Sequence, residues 1–338
     1  NYMACLYGQG NRFGLAFCDV STGAFYATIC PDAPTVASEL GRFSPSEVLR
    51  FGENVTGDVI DDALFHRLGC CVDEGTEELF RLESCQQLLE RHFGEPIEKL
   101  GLVTYPLAVV ASGALLRTLL DLQKNDLAHI RRLQYYTGGK FMELDMDARR
   151  NLELTETMRS KEKRGSLLWV LDKTKTPMGK RLIHSVIEKP LLNPTAINKR
   201  LNAVGELLSD SIRLDQIRGI LQDIFDLERL ITRIVYGSAS PREMRSLQFT
   251  VQSLPQLKEA VGEVKSVYLR QLIANMDPLE DICGLISCAI DDDPPALLKD
   301  GGVIRKGYSK ELDSLREIVH NTKGVLASVE AKEREKTG

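Results

Sequence analysis

Asp19, Glu47 and Asp73 each stand at the edge of a strand-like stretch, and Asp19 precedes a glycine-bearing turn. An acid so placed is how a two-metal nuclease site begins. Such hydrolysis needs several carboxylates converging on ions about 4 Å apart, and no spacing in the chain fixes these three together. The other reading of Asp19 is a turn acid that satisfies the backbone amides following it. Metal ligation has one further candidate, His66 with Cys70, Cys71 and Cys85. Zinc needs four converging ligands, no C-x-x-C pair exists, and adjacent cysteines tend to point to opposite faces of a strand. The eight cysteines (5, 18, 30, 70, 71, 85, 283 and 288) therefore read as free core thiols of a reduced, cytoplasmic protein.

Phosphate-loop lookalikes fail on spacing. Gly179-Lys180 needs a glycine at Thr174 and a hydroxyl at Arg181; Gly138 to Lys140 needs a glycine at Gln134 and is followed by Phe141. There is no H-E-x-x-H and no G-x-S-x-G. The chain shows no catalytic constellation, no metal site and no cofactor site of its own.

Charge is uneven. Residues 1–125 hold 9 Lys and Arg against 17 Asp and Glu, a net of −8, which makes them a poor direct binder of a polyanion. The rest carries +3. Within it, residues 159–181 hold eight bases and two acids. Arg159, Lys161, Lys163 and Arg164 form a candidate DNA-facing patch; the alternative is a solvated loop and helix face.

The elements that must carry these residues divide the chain in two. In 338 residues, 43% apolar and 27% charged, there is room for about two globular domains. Phe13, Leu15 and Phe17 alternate with small residues. Phe25, Ala27 and Ile29 do the same after a Val20–Gly23 turn, giving a β-hairpin. Helices are expected at 35–43, 76–93 and from Pro106, with strands at 47–51 and 69–72. The result is a small α/β sandwich over 1–125. From Asp145 onward helix signals follow one another. Thr176 and Pro177 start a helix, and Gly179 allows a close helix approach. Asn193 and Ser240 start two more. Trp169, the sole tryptophan, is placed in the helical core. From Ser309 a heptad seam of Leu312, Leu315, Val319, Thr322, Leu326 and Val329 predicts one helix on the order of 40 Å long. The longest mostly apolar run has ten residues, too few to span a membrane. The opening at Asn1 and the polar close at Gly338 read as a piece excised from a longer protein.

Several segments together carry a resemblance. F-M-E-L-D at 141–145 and A-R-R-N-L-E-L at 148–154 are followed by L-D-K-T-K-T-P-M-G at 171–179. I-N-K-R-L-N-A-V at 197–204, D-L-E-R-L at 226–230, D-G-G-V-I at 300–304 and E-R-E-K-T-G at 333–338 come next. With F-C-D-V-S-T-G at 17–23 and L-A-H-I at 127–130, they resemble the MutS family of DNA mismatch-repair proteins over the whole chain. Ala148 stands where bacterial members often have Thr.

The resemblance implies a ribonuclease-H-like α/β connector without a nuclease site at 1–125. It is followed by an all-α core at 126–338 whose first lever helix lies at about 309–336. Arg149, Arg150, Asn151 and Glu153 would relay between domains. ATP and magnesium would bind an ATPase domain outside this chain. The implied partners are mismatched double-stranded DNA, a second MutS subunit and a MutL-like protein at the connector, with no membrane. The alternatives are a metal-dependent nuclease with a helical accessory domain, and a helical scaffold unrelated to DNA.

Overall fold

The computed structural model describes residues 2–57, 59–123, 127–137, 141–142 and 144–337. The Gly138–Lys140 lookalike and the expected domain boundary at 125/126 fall outside them. The chain forms β1 (Met3–Gln9), β2 (Arg12–Asp19), β3 (Ala24–Cys30), α1 (Ala33–Phe43), β4 (Glu47–Gly52), α2 (Asp62–Leu68) and β5 (Cys71–Glu74). A 3-10 turn, Glu77–Phe80, leads to α3 (Leu82–Phe93), then α4 (Pro106–Gln123) and β6 (Leu133–Tyr135). The expected single helix at 76–93 is thus a turn plus a helix, divided at Arg81, whose φ of −73° and ψ of 123° are extended.

The strands make one sheet in the order β5-β4-β1-β2-β3-β6. β1, β2 and β3 pair antiparallel, while β4, β5 and β6 add parallel to their neighbours. Period-two alternation splits the sheet into two dry faces. Ala4, Leu6, Phe13, Leu15 and Phe17 pack on Val36 and Leu40 of α1 and on Leu64 and Phe65 of α2. Cys5, Ala16 and Cys18 pack on α3 and α4. The small residues of β2 have a steric purpose. A Cβ on Gly14 would lie 2.1 Å from the Leu107 carbonyl oxygen, so only glycine lets the start of α4 sit this close.

α4 has 18 residues and is apolar enough, by length and composition, to cross a membrane. The count of ten consecutive apolar residues did not show this. Its apolarity has another use here, since eleven of its residues are buried in the sandwich.

The remainder is helical: α5 (Met146–Asn151), α6 (Leu167–Leu171), α7 (Pro177–Glu188), α8 (Pro194–Leu208), α9 (Ser211–Leu221) and α10 (Leu227–Val235). Then come α11 (Pro241–Val261), α12 (Val267–Ala274), α13 (Glu280–Ala289), α14 (Lys310–His320) and α15 (Thr322–Thr337). Its apolar residues gather in three small clusters rather than one core. Leu154, Leu168 and Ile187 form the first; Ile217, Ile224, Leu257, Val261 and Val264 the second; Leu247, Val251 and Ile286 the third.

Three expectations are corrected. Trp169 is 46% exposed, because α6 is a five-residue helix that turns only Leu168 inward. The long terminal helix is two helices, interrupted at Asn321 (φ −111°, ψ 37°). Seam residues Leu315, Val319, Leu326 and Val329 are exposed. The cysteines are all free, but Cys71 and Cys288 are exposed rather than core thiols.

Candidate functional site

The carboxylates considered for a metal are held apart in role. Asp19 accepts from the Ser21 amide at 2.9 Å and the Ser21 hydroxyl at 2.7 Å, and its carbonyl accepts from Thr22 and Gly23. That is the turn-acid arrangement. Glu47 and Asp73 approach each other across the parallel β4–β5 pair. The Glu47 carboxyl is pushed up in pKa by burial and by its contact with Asp73. Among the described residues no three His, Cys, Asp or Glu side chains converge as a metal site.

The charged residues that do converge lie where the sandwich meets the helices. α1 is started by Asp32, whose carboxylate accepts from the Thr35 amide at 2.8 Å. Its last turn carries Glu39, Gly41 and Arg42. Glu39 accepts from Arg42 Nη1 at 3.0 and 3.1 Å and from the Tyr136 hydroxyl at 2.6 Å. Asp145 starts α5 by accepting from the Ala148 amide at 2.6 Å. Gly41 lets α5 approach α1. A Cβ there would be 2.8 Å from Met146 Cγ, and Arg149 Nη1 stands 3.9 Å from the same point. Ser38 donates to the Leu144 carbonyl at 3.3 Å, and the Met142 amide donates to Pro190 at 2.8 Å. These contacts pin the chain between sandwich and helices to both sides.

The four relay candidates separate. Arg149 is turned into this junction, with Nε and Nη1 buried and without hydrogen-bond partners. Burial pulls its pKa down, opposed mainly by Glu188 and Glu39. A buried donor left unsatisfied costs about 1–3 kcal/mol, and more when charged. Arg150 and Asn151 are exposed. Glu153 takes a left-handed φ of 47° and closes a local turn, its carboxylate accepting from the Met158 amide at 2.7 Å.

Lys189, at the end of α7, was not singled out by sequence. Its Nζ lies 4.1 Å from the Phe43 ring centroid and 5.2 Å from that of Tyr26, in cation–π range. Burial first, and then the Arg42 charge, lower its pKa to about 8. A lysine just after a helix C-terminus gives no sequence signal of this kind, since the aromatic rings come from β3 and α1.

Of the basic patch, Arg159, Lys161 and Arg164 are exposed on a tight loop. Lys163 is bonded to Asp172 at 2.5 Å. That bond, with one from the Thr174 hydroxyl, holds the Asp172 carboxyl down at about 2. Thr176 Oγ1 accepts from the Gly179 amide at 2.9 Å, with Pro177 at the first helical position of α7. The nearest atoms to a Gly179 side chain would be those of Thr176 and Thr174. Gly179 therefore makes room for its own helix cap and not for a neighbouring helix.

Two segments far apart in sequence meet at Arg181. Its guanidinium grips both Asp226 oxygens at 2.7 Å and also bonds Glu228, tying α7 to the start of α10. The fork geometry of arginine suits this bidentate grip. At the other end, Asp292 joins Arg245 of α11, at 2.7 Å, to Arg305. Arg316 of α14 donates to the Ile304 carbonyl at 2.7 Å, and Asp313 accepts from the Gly307 amide at 2.7 Å. The root of the terminal helices is thereby fixed.

Comparison with known proteins agrees with this division. The family model described as MutS domain II matches residues 1–131, and that of MutS domain III matches 147–335. The whole chain is 39% identical to the DNA mismatch repair protein MutS of Ruminiclostridium cellulolyticum, covering 39% of that protein. It is 37% identical to that of Lachnoclostridium phytofermentans, covering 36%, and 36% identical to that of Caldanaerobacter subterraneus, covering 39%. The chain thus spans about two fifths of the length of these relatives. A mixed sandwich matched to domain II, joined through a charged junction to helices matched to domain III, is a member of the MutS family.

Proposed function

We propose that this chain is the connector and core, with the beginning of the lever, of a DNA mismatch-recognition ATPase, and that it transmits rather than catalyses. DNA reading and ATP hydrolysis with magnesium belong to other parts of the longer protein. That protein would pair with a second subunit, take a MutL-like partner at the connector and work in the cytoplasm. The relatives' printed names supply the mismatch-repair assignment. The sheet order, with three antiparallel strands followed by parallel additions, supports a ribonuclease-H-like connector. The pairing of β6 with β3 supports a connector that includes Leu133–Tyr135.

One observation carries the reading: the interlock of Gly41, Met146 and Arg149 between α1 and α5. Coupling between distant sites needs packed elements with discrete arrangements, and a glycine-gated helix contact is one. The test is Gly41→Val in the full-length protein. The added side chain drives α5 off α1. Stimulation of ATP turnover by mismatched DNA is expected to fall at least about fivefold, with mismatch affinity and basal turnover retained. Unchanged stimulation in a folded variant would refute the relay role of this contact.

A further inference from the structure

The helical half takes hold of the sheet from both faces. Met146 of α5 packs against the apolar cluster on the α1–α2 face. Tyr236, at the end of α10, packs against the cluster on the α3–α4 face. Among the described residues these two are the side chains that the helical half adds to the sandwich clusters. Tyr236 meets the sandwich at His129: the ring centroids are 4.9 Å apart and the planes inclined at 59°. His129 in turn is wedged against the turn between β2 and β3. Its Nε2 donates to the Val20 carbonyl at 2.7 Å, and a Cβ on Gly23 would stand 2.9 Å from its backbone oxygen. Leu127 and Ile130 are buried in the sandwich on either side of it in sequence, and His92 of α3 donates to the Ile130 carbonyl at 3.0 Å. The two holds share a common back. Leu144, next to α5, packs on Ile183 and Ile187 of α7. Arg181 of α7 grips Asp226 at the start of α10, and α10 ends at Tyr236.

We propose that Tyr236 and His129 form a latch that, opposite the Met146–Gly41 contact, closes a pincer on the sheet and sets the orientation of the sandwich against the helices. A hold on one face lets a body turn about that contact. Holds on opposite faces, joined behind, oppose rotation in both senses. Rotation of one packed body about its interface with another is a common form of switching, and here it must first part the two rings. The bond from His129 to Val20 stays within the sandwich when they part, so the β2–β3 turn keeps its shape with the latch shut or open. Tyr236 and His129 are therefore positioning residues: they decide where the sandwich sits and leave its own fold alone. The pincer stands on the packing of the two halves and does not need the relay reading, which Gly41→Val tests separately.

Cys71 in the sandwich and Cys288 in the helical half are both exposed, so each takes a nitroxide label without a cysteine being added. Cys70→Ser and Cys283→Ala remove the two half-buried thiols that would compete. Electron–electron dipolar spectroscopy on this chain is expected to give one narrow distance distribution. Tyr236→Ala should broaden it about twofold or more while the far-UV circular dichroism stays unchanged. Tyr236→Phe, which keeps the ring, should keep the original width. His129→Gln, whose amide can still donate to the Val20 carbonyl but offers no ring, should broaden it as Tyr236→Ala does. A tyrosine that served stability alone would lower the melting temperature when lost and leave the width as it was. If Tyr236→Ala does not fold, His129→Gln and the unsubstituted latch decide. A broad or two-peaked distribution with the latch intact overturns the proposal. So does an unchanged width in folded Tyr236→Ala or His129→Gln, or a broadening in Tyr236→Phe equal to that in Tyr236→Ala.

Discussion

His184 and Glu188 show how single residues set the behaviour of the junction. They lie one turn apart on α7, with Nδ1 to Oε2 at 3.2 Å. The hydrogen bond that His184 donates to Glu188 outweighs burial and lifts the histidine above its ordinary 6.5. A raised folded pKa means that the stabilisation is fully present below about 6.5. It is lost as pH rises through the raised value. An NMR titration should find His184 above 6.5, and Glu188→Gln should bring it down. A pKa that does not move on that substitution would show the contact to be electrostatically idle. Lys189, the next residue along from Glu188, has the opposite linkage. Its folded pKa is lowered to about 8, so stability grows as pH rises from about 8 towards the ordinary lysine value of 10.5.

Helices in the second half are held less by a common core than by caps and ionic ties. Thr176, Asn193 and Ser240 each accept from an amide two or three residues on, and Ser240 completes a reciprocal capping box with Glu243. Arg181 is the tie between helices. Arg181→Met keeps much of the side-chain volume but leaves Asp226 and Glu228 facing each other. It is expected to cost about 1–3 kcal/mol in urea unfolding. A cost within about 0.5 kcal/mol, typical of an unremarkable surface change, would mean that packing alone joins α7 to α10. Leu168 and Trp169 show the limit of short helices. Five residues give one inward direction, and leucine takes it.

The two halves differ in charge and in cohesion across the whole molecule. The sandwich is acidic and closely packed on both faces of its sheet, whereas the helices are mildly basic and bury their apolar residues in three small groups. With Lys163 tied to Asp172, only Arg159, Lys161 and Arg164 of the basic patch stand exposed. The isolated chain is therefore expected to bind DNA weakly, with a shallow salt dependence and little preference for a mismatch. Gel shifts at physiological salt and a salt titration measure both. Tight, mismatch-selective binding would contradict the division of labour proposed here.

Sequence by itself determined the hairpin, the apolar stripe of α4, the caps of α7, α8 and α11, and the family. Those signals are local: strand alternation, helical period, Pro and Gly punctuation, and short motifs read in order. β6 escaped it because three residues give too little alternation to register. The terminal seam kept its heptad spacing, but spacing cannot show where Asn321 interrupts a helix or whether a seam has anything to pack against. Only tertiary structure decided that Arg149 buries its guanidinium Nε and Nη1 while Arg150 is exposed, that Gly41 admits Met146, and that Lys189 rests on rings contributed from α1 and β3. Charge environment is a property of neighbours in space, and these neighbours lie as far as about 160 residues apart in the chain.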